Sequence, residues 1–164
     1  MVQDSNTIKD AVGIILEKAD GTIILVTPRK WAEDVFVVPG GKIKQGESAE
    51  ESVEREMKEE FNWELDVNFE ITYRDPETKL KEPGVDYIGK PTLRFHDFFA
   101  RVIHEEGLQF NEQEIKEVKI ATPEEFLRMH ESSEIILGEL MPDYLKKFIA
   151  WRDEQTERQR ELQA

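Results

Sequence analysis

The hydrophobic pattern of the chain begins with two short runs rich in β-branched and large apolar residues, 11–17 and 22–27. Runs of this length and composition are typical of β-strands. Asp20 and Gly21 lie between them, and both residue types tolerate the positive φ angles that a tight hairpin turn requires. The pattern therefore predicts that the chain opens with an antiparallel pair of strands.

A proline-glycine segment separates the next predicted strand from the first predicted helix. The apolar run 35–38 is predicted to be a strand that stops at residues 39–41, Pro-Gly-Gly, because proline lacks a backbone donor. Ser48, followed three residues later by Glu51, has the spacing of a capping box. A helix is predicted over 49–61 because apolar residues recur at every fourth position, at Ala49, Val53, Met57 and Phe61.

The middle of the chain predicts two further strands that are joined by a long loop. Residues 65–73 and 92–103 have the composition of strands. Between them, residues 74–91 hold three prolines and two glycines. A connection of this length inside a domain is usually functional, so a functional loop is predicted there.

The C-terminal part predicts a strand, two helices and a polar tail. After a strand over 118–121, Thr122 is followed by proline and, three residues on, by glutamate, a second capping-box pattern. The helix it opens is predicted to run to about His130, and Pro142 opens a last amphipathic segment. Residues 152–164 are almost wholly polar, which fits either a solvated helix extension or a disordered tail.

Length and composition narrow the class of protein. The 164 residues and the mixed order of strands and helices predict one α/β domain over residues 1–164. The net charge of −14 disfavours generic binding to nucleic acid or anionic membranes. With no cysteine there is no disulfide, thiolate nucleophile or thiolate metal site. A soluble, cytoplasmic protein is expected, either a monomer or a homodimer, and the apolar stripe of the last segment favours core packing over a dimer seam.

Three glutamates on the first predicted helix are the candidate chemistry. Glu56, Glu59 and Glu60 stand at i, i+3 and i+4 and so share one helix face. Taken alone, they fit a solvated acidic surface as well as a site. Carboxylates at this spacing repel one another, and a divalent cation would relieve that repulsion, because Mg²⁺ prefers hard oxygen ligands.

The glutamates belong to a longer pattern, Gly-x5-Glu-x7-Arg-Glu-x2-Glu-Glu, which begins at Gly41 and continues through Glu47 and Arg55. This pattern resembles the Nudix box, here over residues 41–63. Asn62 stands where that family usually has glycine at the end of the helix, and asparagine is the next residue most able to adopt the left-handed conformation. The resemblance implies a Nudix-like α/β/α sandwich with a mixed β-sheet.

The same resemblance implies hydrolysis of a nucleoside diphosphate linked to another group, with Mg²⁺ as cofactor or Mn²⁺ in its place. It implies four metal ligands, Glu56, Glu59, Glu60 and the Gly41 carbonyl, oriented by Arg55 and Glu47. Glu60 is the first choice for the general base, and Glu112 and Glu114 are the alternatives. The expected partner is a small nucleotide, and the candidate substrate-binding residues are Arg29, Trp31 and Tyr87.

Two hypotheses for other functional classes, a binding module and an isomerase, stay open. A Nudix-like domain can bind a nucleotide as a sensor without turnover, although such modules often lose box carboxylates. Isomerisation of an isoprenoid diphosphate is a second possibility, but it calls for a cysteine that the chain lacks. Among hydrolase substrates, nucleotide sugars, dinucleoside polyphosphates and nucleoside triphosphates are equally open, since loops 74–91 and 107–114 are expected to set specificity.

Overall fold

The computed structural model describes residues 7–31, 34–82, 91–105 and 108–163, which contain six strands and three helices in the order β-β-β-α-β-β-β-α-α. The strands are β1 (Ile8–Glu17), β2 (Ile23–Pro28), β3 (Gly40–Lys42), β4 (Phe69–Lys81), β5 (Thr92–Val102) and β6 (Ile115–Ala121). The helices are α1 (Ala49–Phe61), α2 (Pro123–Glu131) and α3 (Met141–Gln163).

The strands form one mixed sheet in the order β4-β5-β1-β2-β6. β1 and β5 run parallel, and the other pairs are antiparallel. The predicted N-terminal hairpin is confirmed, because β1 and β2 pair at Glu17 and Ile23 on either side of the turn. Farther from that turn, residues 36–42 lie between the two strands: Val37 bridges to Val26, and β3 pairs with β1.

The prediction that the third strand stops at residues 39–41 is wrong. Residues 35–38 make only isolated bridges, whereas Gly40–Lys42 is the segment that pairs with β1 as β3. Gly40 adopts a φ of +153°, and a β-carbon there would stand 2.9 Å from the carbonyl carbon of Val12. The two backbones approach so closely that only glycine fits, and the glycine signal that suggests a turn in the sequence marks strand pairing instead.

The predicted bounds of the fourth strand are also wrong. β4 covers Phe69–Lys81 rather than 65–73, so the first part of the predicted loop 74–91 is strand, while residues 83–90 lie outside the described part. A bulge lets residues 75–77 stand opposite the single residue Asp97 of β5. β4 tolerates Pro76 and its charged residues because it lies at the edge of the sheet, where one side needs no ladder partners.

The helices cover both faces of the sheet, which confirms the predicted α/β/α sandwich. On one face, all four residues of the predicted apolar stripe of α1 are buried, and they pack on strand residues such as Val12, Ile14 and Phe98. On the other face, α2 and α3 pack on Ile15, Leu25 and Phe99. The sheet is buried on both sides, and its β3 end lies directly beside α1.

The C-terminal elements follow the sequence prediction closely. The hydroxyl of Thr122 accepts a hydrogen bond from the Glu125 backbone N–H at 3.1 Å, and α2 then ends at Glu131, one residue after the predicted end. β6 begins three residues earlier than the predicted 118–121. The polar tail is a helix extension, because α3 continues unbroken to Gln163. No helix within the described residues is long and apolar enough to cross a membrane.

Candidate active site

Helix α1 is capped at both ends, and these caps fix the face that it presents. The predicted capping box is formed: the Ser48 hydroxyl accepts from the Glu51 N–H at 3.1 Å, and the Glu51 carboxylate accepts from the Ser48 N–H at 3.2 Å. At the other end Asn62 takes the left-handed conformation, with φ 57° and ψ 37°. Asparagine therefore preserves the helix cap in the place where the family usually has glycine, as expected.

Arg55 joins the middle of α1 to the loop that precedes the helix. Its Nε and Nη2 donate to the two carboxylate oxygens of Glu47 at 2.8 and 2.9 Å, and Nη2 also donates to the Lys42 carbonyl at 3.0 Å. This two-point geometry is available to arginine and not to lysine. The hydrogen bonds from Arg55 lower the pKa of Glu47 to about 2. The carboxylates of Glu47 and Glu56 in turn raise the pKa of Arg55.

The three glutamates of α1 differ in environment. Glu56 and Glu60 are only 7% and 6% exposed, whereas the side chain of Glu59 is 38% exposed. Arg55 also binds two of these glutamates: its Nη1 donates to Glu56 Oε1 at 3.0 Å and to Glu59 Oε2 at 3.2 Å. Arg55 thus touches three carboxylates, counting Glu47, and orients them relative to one another.

Gly41 of β3 lies against the carboxylate of Glu56. A β-carbon at Gly41 would stand 2.5 Å from the Glu56 Cδ, so any other residue would displace the carboxylate. The backbone N–H of the neighbouring Gly40 donates a hydrogen bond to the Glu60 carboxylate, and this bond favours the charged form of Glu60. The glycines that allow β3 to pair with β1 therefore also bring its backbone to the two buried glutamates.

Burial dominates the electrostatics of the two buried glutamates. It raises the pKa of Glu56, although Arg55 opposes the shift. The pKa of Glu60 is raised well above its ordinary value by burial, and the negative charges of Glu56 and Glu114 add to this effect. Within the described residues, Glu60 Oε2 is buried and has no hydrogen-bond partner. A buried oxygen of this kind is costly unless something binds it.

The loop before β6 brings a fourth carboxylate to the same place. Asn111 donates its backbone N–H to the Glu60 carbonyl at 2.8 Å, and the Glu114 N–H donates to the Asn111 carbonyl at 3.0 Å. The charge of Glu114 raises the pKa values of both Glu56 and Glu60. The sequence left Glu114 as an alternative base without a motif, and the fold places it beside the glutamates.

The donor set suits a hard divalent cation. It consists of carboxylates, one of them with the unpartnered Glu60 Oε2, beside a glycine backbone that leaves space at Glu56. In the described part of the chain, no three His, Asp or Glu side chains already stand as a complete cation site. Arg55 instead holds the carboxylates of Glu56 and Glu59 in their present positions.

The remaining predicted residues are more scattered. The side chain of Glu112 is exposed, and its carbonyl accepts from Arg29 Nε at 2.5 Å. Arg29 is exposed at the end of β2, and its backbone N–H donates to the Glu114 carbonyl at 2.9 Å. Trp31 carries the ammonium of Lys81 over its ring, 4.7 Å from the centroid. Tyr87 lies outside the described residues.

Two residues of this region escape the sequence reasoning. Asn111 is one of them, and its only signal is an asparagine within the predicted loop 107–114, where asparagine often organises a turn. Lys81 is the other, because its contact with Trp31 joins the end of β4 to the segment after β2, 50 positions away in the sequence. Contacts over such a separation depend on how the sheet is assembled, which no local pattern reports.

The chain matches a known family and known structures. Residues 7–144 match the family described as NUDIX domain. The Ap4A hydrolase of C. elegans in a binary complex is 20% identical with a TM-score of 0.70, over 89% of this chain and 98% of that chain. The MutT protein of Methanosarcina mazei Go1 is 18% identical with a TM-score of 0.68, over 90% and 96%.

A third solved structure, the dihydroneopterin triphosphate pyrophosphohydrolase of E. coli, is 16% identical with a TM-score of 0.67, over 88% of this chain and 99% of that chain. At these identities the likeness shows a shared fold. No curated protein sequence matches the chain.

Proposed function

The chain belongs to the NUDIX domain family and is a pyrophosphohydrolase, and we propose that it uses Mg²⁺ to cleave the diphosphate linkage of a nucleoside diphosphate joined to a further group. The observation that carries the proposal is the buried, unpartnered Glu60 Oε2 beside Glu56 and Glu114. Several carboxylates beside one unsatisfied oxygen are a costly arrangement in a protein unless they bind a cation.

Four groups would hold the cation: the carboxylates of Glu56, Glu59 and Glu60 and the backbone carbonyl of Gly41. When bound, the cation supplies charge neutralisation for the phosphates, which a chain of net charge −14 would otherwise repel. Arg55 and Glu47 keep the loop 42–47 fixed against α1, so the ligands stay in place. Mn²⁺ has the same preference for oxygen ligands and is expected to substitute.

One residue of the site must also accept the proton that the reaction releases. Water attacks one phosphorus, the bridging P–O bond breaks, and a carboxylate must accept the proton that the water loses. We assign this role to Glu60, because its Oε2 is buried at the site and has no hydrogen-bond partner among the described residues, so this oxygen is available to accept the proton. Glu114 is the alternative that lies closest in the fold, while Glu112 has only its backbone carbonyl engaged with Arg29.

For the substrate we propose Trp31 as the surface on which a base stacks and Arg29 as a phosphate contact. The Lys81 ammonium lies over one face of the Trp31 ring, so the ring already binds a group through its π surface, which is the kind of contact that a stacked base would make. Tyr87, in the segment after β4, is a third candidate for base stacking.

The test is a product screen by mass-resolved chromatography. The protein is incubated with nucleotide sugars, dinucleoside polyphosphates including Ap4A, and nucleoside or pterin triphosphates, each with Mg²⁺, with Mn²⁺ and with chelator. Cleavage that requires the cation, with a nucleoside monophosphate among the products, is the expected result. Ligand-induced thermal stabilisation without any cleavage would contradict the proposal and favour a sensing module instead. A product of unchanged mass would indicate isomerisation.

A further inference from the structure

Asn111 joins the loop before β6 to the end of α1 that carries the glutamates. Its backbone N–H donates to the Glu60 carbonyl at 2.8 Å, and its side-chain Nδ2 donates to the Glu59 carbonyl at 3.4 Å. The last carbonyls of a helix have no partner within the helix. One residue outside the helix therefore binds the backbone of two of the three box glutamates.

The same residue also shapes its own loop. The Asn111 Oδ1 accepts from the Gln113 N–H at 3.0 Å, which closes a side-chain turn. The Asn111 carbonyl accepts from Glu114 N–H at 3.0 Å and from Ile115 N–H at 2.9 Å. Glu114 is thus linked through a single residue, Asn111, to the helix that bears Glu60.

A second attachment fixes the other side of this loop. Arg29 donates its backbone N–H to the Glu114 carbonyl at 2.9 Å and its Nε to the Glu112 carbonyl at 2.5 Å. These bonds restrain the loop toward β2, and those of Asn111 restrain it toward α1. Without the bonds made by Asn111, repulsion between the carboxylate of Glu114 and the buried glutamates would favour movement of the loop away from α1.

We propose that Asn111 is a positioning residue, which holds Glu114 against Glu60 so that the four carboxylates keep one geometry toward a divalent cation and a diphosphate. This inference rests on the proposed function of the same site. Asn111 acts by holding the loop that carries Glu114 against the end of α1, and it needs no contact with the substrate. Its loss is expected to lower kcat rather than to raise KM, because ground-state binding of the nucleotide does not involve it.

Asn68 provides a matched control for an Asn111→Ala variant. Its Oδ1 accepts from the Glu64 N–H at 2.9 Å and its Nδ2 donates to the His104 carbonyl at 3.1 Å, so it makes the same kinds of bonds away from the carboxylates. Asn111→Ala keeps the backbone bonds to Glu60 and Glu114 and removes only the side-chain bonds to the Glu59 carbonyl and the Gln113 N–H. We therefore expect kcat to fall about threefold to tenfold with KM changed less than about twofold. Asn68→Ala should leave both constants near those of the wild type. Equal kinetic constants for the two variants would overturn the proposal.

A double-mutant cycle separates positioning from general loss of structure. If Asn111 acts through Glu114, Asn111→Ala should have little further effect on kcat in a Glu114→Gln background. Additive losses would show that Asn111 acts elsewhere and would also overturn the proposal. Thermal unfolding of each variant checks that comparisons are made on folded protein.

Binding of Mn²⁺, measured by titration calorimetry without substrate, tests the inference independently of turnover. Asn111→Ala is expected to weaken Mn²⁺ binding several-fold, about threefold to tenfold, while Asn68→Ala leaves it unchanged. Unchanged affinity in Asn111→Ala would contradict the positioning role. If the wild type cleaves no substrate of the screen, the proposed function fails, and the Mn²⁺ titration still decides the role of Asn111.

Discussion

Gly41 lies so close to Glu56 that a β-carbon at Gly41 would stand 2.5 Å from the Glu56 Cδ. This relationship joins two segments that are separate in the sequence, the short strand β3 and the helix α1. It explains why the first residue of the glycine-glutamate-arginine pattern is glycine although its backbone needs no left-handed conformation.

The first prediction concerns Gly41→Ala, which should displace the Glu56 carboxylate and lower kcat about 100-fold, the loss that a displacement of about 1 Å can cause. Gly46→Ala is the control, because Gly46 has a φ of +82° but nothing lies within 4 Å of its β-carbon position. It should cost about 1 kcal/mol of stability with little loss of turnover. Steady-state kinetics and urea unfolding distinguish the two, and full activity of Gly41→Ala would contradict the role of this contact.

The second prediction concerns Arg55→Lys. Lysine keeps the charge but cannot make the paired bonds to Glu47 or reach Glu56 at the same time, so kcat should fall about tenfold or more while the protein stays folded. Arg158→Lys is a suitable control, because Arg158 pairs with Glu154 on the exposed part of α3. Steady-state kinetics should show no change for that variant. Equal activity of both variants would show that the forked geometry does not matter.

The third prediction concerns Glu60→Gln. Loss of the proposed base should lower kcat about 1,000-fold, in the middle of the range for general base catalysis. The free energy of unfolding at neutral pH should be unchanged or higher, because the substitution removes a buried negative charge beside Glu56 and Glu114. Glu54→Gln, on the exposed side of the same helix, should retain activity. A Glu60→Gln protein with wild-type rates would remove Glu60 from the mechanism.

The fourth prediction concerns Asp97, which is buried on β5 beside Asp75, Lys79 and Lys147. Burial is the main cause that raises its pKa from 3.8 to about 6. The unfolded chain therefore loses this proton at lower pH than the folded chain. As a result, the contribution of Asp97 to the free energy of unfolding falls as pH rises from about 4 to about 6, by about 3 kcal/mol in total.

Urea unfolding at a series of pH values checks this sign. Asp97→Asn should show a smaller fall between pH 4 and 6 than the wild type, because Glu56 and Glu60 still contribute to it, and Asp153→Asn, on the exposed surface of α3, should show the full fall. Parallel pH profiles of Asp97→Asn and the wild type would contradict the raised pKa.

The fifth prediction concerns Asn62, which ends α1 in the left-handed conformation. Asn62→Gly should raise the free energy of unfolding by a few tenths of a kcal/mol, up to about 1, since glycine adopts this conformation without steric cost. Asn62→Ala should lower it by about 1 kcal/mol. Turnover should be unchanged in both, because the cap lies at the end of the helix and makes no contact with the carboxylates. The reverse order of stability would contradict the capping role.

Local patterns predicted the parts of the fold that depend on neighbours in the sequence. The capping box of Ser48 and Glu51, the buried stripe of α1 and the hairpin at Gly21 all follow from residues within four positions of one another, and all are confirmed. The edge strand β4 was misjudged over residues 74–81. Its polar residues and Pro76 oppose a strand locally, and only pairing with β5 makes the segment extended.

The residue pattern was enough to predict the family and the sandwich fold. It also predicted that Glu56, Glu59 and Glu60 share one helix face, because helical geometry places residues i, i+3 and i+4 on the same side. The packing of the folded chain, in contrast, buries Glu56 and Glu60 while Glu59 stays exposed, and it brings Gly41 and Asn111 to this helix. Burial and long-range hydrogen bonds depend on which segments pack together. That choice is made by the whole core at once, so it is not readable from any one stretch of the chain.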